Sequence, residues 1–140
     1  MSLAITWVGH STLLLEIDGY RVAVDPFYAP HNPATTQTVD TVEADYILVT
    51  HAHGDHMADL LPLAKASGAL VVSNNEICGW LQQHGHNSVQ GMNIGGAWTL
   101  PFGLVRMTYA IHSSVFPDGS NGGHPSGFLI STDSITLYIA

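Results

Sequence analysis

The run Tyr46-Ile47-Leu48-Val49-Thr50-His51-Ala52-His53-Gly54-Asp55-His56 joins an apolar strand to four side chains with metal-binding chemistry. Its first half reads as a strand buried on both faces. Its second half lies at the C-terminal end of that strand, where ligand sites form in open α/β sheets. In extended backbone, His51 and His53 at i and i+2 point to the same side, so two imidazoles can converge on one ion. Gly54 permits a tight turn with no side chain in the way. Asp55 and His56 open the next helix, which Asp55 can cap. The pattern accommodates two adjacent metal positions, one mainly His and one mixed His/Asp. Such donors suit Zn, with Mn, Fe or Ni also compatible.

Outward from this run the chain alternates strand and helix. Met57 to Ser67 has helical spacing, with Met57, Leu60, Leu61 and Ala64 on one stripe, and Gly68 fits the position just past its end. Leu70 to Ser73 reads as a second buried strand, so Tyr46 to Ser73 is a parallel strand–helix–strand unit. Asn74 or Asn75 can cap a helix running to about Gln83. Upstream, Ala4 to Val8, Thr12 to Ile17 and Tyr20 to Val24 read as strands, the last two joined by the Asp18-Gly19 turn. Phe27 to Asp40 reads as a loop. Downstream, Ala97 to Leu100, Leu104 to Ala110, Gly127 to Ser131 and Ile135 to Ala140 read as antiparallel strands, with a turn at Thr132-Asp133. The class is α/β.

Composition narrows the function. The 140 residues fit one domain. Hydrophobic residues make up 46% and charged residues only 10%, so part of the apolar surface is expected to be covered by something else. Three Lys and Arg against eleven Asp and Glu cannot form the basic patch that a nucleic-acid partner requires. Cys78 is the one cysteine, which excludes an internal disulfide and fits a reducing compartment. Residues 1–9 show no signal-peptide pattern, and no run of about 18 apolar residues predicts a membrane span. Cytoplasmic location is the default expectation. The apolar strand Ile135 to Ala140 stops without a polar tail, so further chain is expected after it.

The His51 to His56 pattern in this setting resembles the metallo-β-lactamase fold superfamily. Gly9-His10-Ser11-Thr12-Leu13-Leu14-Leu15, Val24-Asp25-Pro26-Phe27, Ala44 to His51, Gly91-Met92-Asn93-Ile94-Gly95-Gly96 and Ile111-His112-Ser113-Ser114 resemble the UPF0173 metal-dependent hydrolases, relatives of the ascorbate-6-phosphate lactonases. The resemblance implies an αββα sandwich, of which residues 1–140 form the N-terminal half: a mixed sheet with helices on one face, and the C-terminal half absent. It implies that His51, His53 and His112 hold one metal and that Asp55 and His56 begin a second site. Asp25 and His10 then belong to the surrounding shell, Asp25 orienting a ligand imidazole. The implied cofactor is Zn, one ion or two. The implied activity is hydrolysis of an ester, lactone, amide or phosphoester in a small molecule. Its nucleophile would be a metal-bound hydroxide, with Asp55 as the catalytic carboxylate.

In that family a bridging Asp and a last His complete the second site, and neither has a counterpart here. The competing expectation is therefore a catalytically incomplete half-domain that binds metal or a partner chain. The partner would be a second copy or a separate C-terminal half. Outside the motif, His84 and His86 are expected at a helix end, His124 in a loop near the pocket, and Cys78, Trp7, Trp80 and Trp98 in the core.

Overall fold

The computed structural model describes residues 2–140. Strands β1 (Leu3–Gly9), β2 (Thr12–Ile17) and β3 (Tyr20–Val24) form an antiparallel meander. Asp18 and Gly19 both have positive φ, 50° and 84°, the two-residue turn that matches strand twist. From β3 the sheet continues in parallel through β4 (Tyr46–Leu48), β5 (Leu70–Asn74) and β6 (Val89–Met92). Its order is β1-β2-β3-β4-β5-β6. A second, antiparallel sheet has the order β10-β9-β8-β7, from β7 (Ala97–Leu100), β8 (Gly103–Tyr109), β9 (Ser126–Ser131) and β10 (Thr136–Ile139).

Alternation along the strands sends side chains to two cores. Ala23, Ile47, Val49 and Val71 face helices α2 (Leu60–Ser67) and α3 (Asn75–Gln83), meeting Leu60, Leu63, Ile77 and Leu81. Val22, Val24, Leu48 and Val72 face the second sheet, meeting Val105, Phe128 and Ile130. The layers are helix, mixed sheet, antiparallel sheet. Each fully buried Leu, Ile or Val contributes roughly 1.5–3 kcal/mol of transfer free energy. The mixed sheet with helices on one face is the expected half-sandwich. No described helix is long and apolar enough to cross a membrane.

Several elements differ from expectation for identifiable reasons. The helix expected over 57–67 is broken into α1 (Gly54–Met57) and α2. Asp59 lies between them with φ −105° and ψ 12°. Its buried carboxylate accepts from the Tyr28 amide at 2.7 Å and the His31 imidazole at 3.1 Å, so it serves the neighbouring loop and makes no cap bond. Strand β4 stops at Leu48, short of Thr50, because Asp25 turns away with φ 47° and its side chain takes the Thr50 amide. Strand β6 was not expected; it is a four-residue edge strand containing Gly91. Trp7 and Trp98 are not core residues: they are 69% and 46% exposed. Ile5, beside Trp7, is 53% exposed. Both lie on the inner face of β1, where the four-stranded sheet is too narrow to cover six strands.

Candidate metal centre

The polar run leaves β4 and enters α1, and Thr50 is its anchor. The Thr50 hydroxyl donates to Asp25 Oδ2 at 2.7 Å, and its amide donates to Asp25 Oδ1 at 2.7 Å. That hydroxyl has one proton, already given to Asp25. The His51 ring, with Nδ1 2.9 Å from the same oxygen, must therefore donate Nδ1–H to it. The Nε2 of His51 is left with a bare lone pair, and it faces His53 Nδ1 at 3.1 Å. His51 is buried, and burial together with the neighbouring His56, His112 and His53 pushes its pKa down to about 3. It is a neutral donor at any physiological pH.

His56 follows the same logic. Its Nδ1–H donates to Asp25 Oδ2 at 2.8 Å, leaving Nε2 free on the opposite side. Burial alone would lower its pKa, but the Asp25 hydrogen bond and charge raise it overall. Asp25, 1% exposed, thus receives three hydrogen bonds and fixes two histidines, one directly and one through Thr50. His112 follows β8 across a short connection. Its Nδ1–H donates to the Ser113 carbonyl at 2.8 Å, which leaves its Nε2 free. Its ring centroid is 4.5 Å from that of His51 and 6.3 Å from that of His53. Ser113 Oγ lies 3.3 Å from His53 Nε2.

The structure therefore packs His53, His56 and His112 around the His51 ring, with centroids 4.7, 4.0 and 4.5 Å from it, although the linking loop 110–125 is irregular. His112 packs on His51 without joining an equally tight set of donor atoms. The tight group among the described residues is His10, Asp55 and His56, whose ligand atoms all lie within 4.8 Å of one another. The sequence allowed Asp55 to cap the helix, but His53 occupies the cap position of α1, and the Asp55 carboxylate instead accepts from His10 Nε2 at 2.9 Å. Gly54 makes no tight turn: it opens α1, with open space where a Cβ would stand.

Sequence reasoning missed Thr50 and Ser114. Ser114 Oγ accepts from the Ala52 amide at 3.1 Å and donates to the Gly122 carbonyl at 3.2 Å, tying the His51–His53 segment to the loop that carries His112. The signal for Thr50 was its place immediately before His51. Of the remaining histidines, His84 caps α3 by donating to the Trp80 carbonyl at 2.8 Å. His86 is instead buried, its Nε2 shared between the Ala69 and Ser88 carbonyls. His124 lines a small cavity with Asn74, Glu76 and Met92, away from the cluster.

The sequence matches the family model described as "Beta-lactamase superfamily domain" over residues 4–139. The chain belongs to the beta-lactamase superfamily. Within this superfamily it is 46% identical over 138 residues to a UPF0173 metal-dependent hydrolase of Flavobacterium johnsoniae, covering 99% of this chain and 61% of the relative. A UPF0173 metal-dependent hydrolase of Exiguobacterium sp. is 47% identical over 139 residues, again with 61% of its length covered. Among solved structures, Igni18, a metallo hydrolase from Ignicoccus hospitalis, superposes with a TM-score of 0.84 at 35% identity. That match covers 99% of this chain and 60% of Igni18. The chain thus spans about three fifths of the length of the relatives it matches.

Proposed function

We propose that this chain holds a divalent metal ion on His51, His53 and His112 and hydrolyses an ester, lactone, amide or phosphoester bond of a small molecule. One observation carries the reading: His51 Nε2 and His53 Nδ1 face each other at 3.1 Å, with the far nitrogen of His51 anchored through Thr50 to buried Asp25. Without metal, a single proton must bridge the two nitrogens. A cation replaces that proton with both lone pairs already aimed at it. The outer contacts match those that fix the tautomer of metal-ligating imidazoles. Three imidazoles with an open fourth position suit Zn, and Mn, Fe or Ni also accept such donors.

Bound there, the ion supplies Lewis acidity and a water that is acidic near neutral pH. The chain's own groups do the rest. Asp55, exposed at the start of α1, accepts a proton of the attacking water and orients it. Asp25 keeps His51 and His56 in their working tautomers. The family membership, and the names of the relatives, support the hydrolytic class. The test is hydrolysis of a generic ester or phosphodiester by metal-loaded protein. Turnover that disappears in His51→Ala supports the reading, and turnover unaffected by that change sinks it.

A second reading is favoured by the span of about three fifths of its relatives' length and by the uncovered Ile5 and Trp7. In it, residues 1–140 act as the N-terminal part of a hydrolase domain. They bind metal but turn over little until a second copy or a C-terminal half supplies further ligands and covers the exposed face. Metal uptake with no turnover by the isolated chain favours this reading over the first.

A further inference from the structure

We propose that His10, Asp55 and His56 form a second cation site completed within this chain, with His10 as its third ligand. The inference rests on the reading of His51 to His56 as a metal centre, and it departs from a His10 that only surrounds the ligands. Its basis is geometric. His10 Nε2 lies 2.9 Å from Asp55 Oδ2, and His56 Nε2 lies 3.9 Å from the same oxygen. All three donor atoms fall within 4.8 Å of one another. Bonds of about 2.0–2.2 Å in a tetrahedral site put ligand atoms roughly 3.3–3.5 Å apart. The observed distances bracket that value, so only small side-chain adjustments are required.

The position of His10 is built rather than incidental. Its φ is 55°, a left-handed conformation that a non-glycine residue adopts only at a cost. Surrounding contacts hold it there. The Trp7 indole donates to the His10 carbonyl at 2.8 Å, and Asn32 donates to the Gly9 carbonyl at 3.2 Å. The β1–β2 register shifts between Trp7 and Gly9, which throws His10 out of the ladder. Phe27 meets the His10 ring edge to face, with centroids 5.8 Å apart. This also accounts for exposed Trp7, whose indole serves as a latch on the strand turn.

His56 points the same way. Its Nδ1–H is committed to Asp25, so its Nε2 lone pair faces the Asp55 carboxylate. On loading, His10 would adopt the tautomer that carries its one ring proton on Nδ1, so that its Nε2 lone pair could join Asp55 and His56 on the ion. The ligand class is a divalent first-row cation.

Metal-free protein is titrated with Co(II), read by its visible absorption bands and by calorimetry, for the wild-type chain and for His10→Ala, His10→Gln and His51→Ala. Wild type is expected to take two equivalents. His10→Ala keeps the first and loses at least about 100-fold in affinity for the second. His10→Gln, which retains a hydrogen bond to Asp55, behaves like His10→Ala. His51→Ala loses the first equivalent and keeps the one that depends on His10, which separates this proposal from the three-His reading. Wild-type affinity for a second ion in His10→Gln overturns the proposal, as does a single equivalent insensitive to His10. A count that needs no variant is available from Co(II)-shifted imidazole proton signals. The second equivalent shifts two additional imidazoles if the proposal holds and one if it does not.

Discussion

Asp25 is the residue on which most of the site depends. Three hydrogen bonds converge on a carboxylate that is almost fully buried. Asp25→Asn keeps the shape but forces an amide N–H toward donors or discards an acceptor. Loss of stability of about 3 kcal/mol by urea denaturation is expected, with metal affinity lower by about 10- to 100-fold. Thr50→Val tests the relay alone: it removes the oxygen that receives His51 Nδ1–H, and a loss of roughly 10-fold in metal affinity should appear with folding largely intact. His51 gives a pH signature in metal-free protein. Its folded pKa, about 3, lies below the ordinary 6.5. The stability that neutral His51 contributes is therefore complete above pH 6.5 and is lost as pH falls toward 3, with a slope near 1.4 kcal/mol per pH unit for one proton. His56 has the opposite sign, since its raised pKa stabilises the fold below 6.5. Urea midpoints measured from pH 7 to 4 should fall for wild type and fall less for His51→Gln; equal slopes would remove His51 as the cause. At this scale the sequence was legible where spacing is local. His51, His53, Asp55 and His56 announce themselves within six positions, whereas the bond from His10 to Asp55 crosses 45 residues and the one from Asp25 to His56 crosses 31. No local pattern encodes those contacts, and the family resemblance pointed only to Asp25 orienting an imidazole and to His10 near the site.

Among the elements, the segment Val115 to Pro125 decides where His112 sits. Gly122 lies where any Cβ would overlap that of Ala52, and would stand 2.8 Å from Ser114 Oγ. Ala52 separates His51 from His53, so this contact seats the loop that carries both histidines. Gly122→Ala must push Ala52 or its own strand of the loop outward. Destabilisation of about 1–3 kcal/mol is expected, together with weaker metal binding, although none of the clustered histidines is changed; a variant with wild-type midpoint and metal affinity would show that the loop yields freely. The hairpin β2–β3, the parallel unit β4–α2–β5 and the α3 cap at Asn74, which accepts from Ile77 N at 2.9 Å, were readable because each follows from local turn, period or cap chemistry. Strand β6 was not. Its four residues include Gln90 and Gly91, and it becomes a strand by pairing with β5 from Val71↔Val89 to Asn74↔Met92. The break at Asp59 was hidden for the same reason: the helical stripe runs through it, and a loop 28 to 31 residues upstream claims its carboxylate.

At the scale of the whole molecule, metal and surface should both appear in stability and association. A ligand that binds only the folded chain at 100 times its Kd adds about 2.7 kcal/mol. Chelation should therefore lower the melting temperature by roughly 8–10 °C for a domain of this size, and His51→Ala should melt near the chelated value. The surface argument begins with a mismatch of widths. Six strands lie against four, β10 is an edge strand, and Ile5 and Trp7 on β1 and Tyr138 on β10 stand 53%, 69% and 62% exposed. An open edge beside apolar side chains is a template for a further strand. The 140-residue chain should self-associate at micromolar concentration in sedimentation experiments once salt screens its net charge of −8. Tyr138→Lys places a charge on the edge strand itself and should shift the population toward monomer, leaving metal stoichiometry unchanged, because β10 lies in the second sheet and carries none of the clustered histidines. Association that survives Tyr138→Lys would move the contact from β10 to the exposed β1 face, and Trp7→Lys would then be the change expected to abolish it.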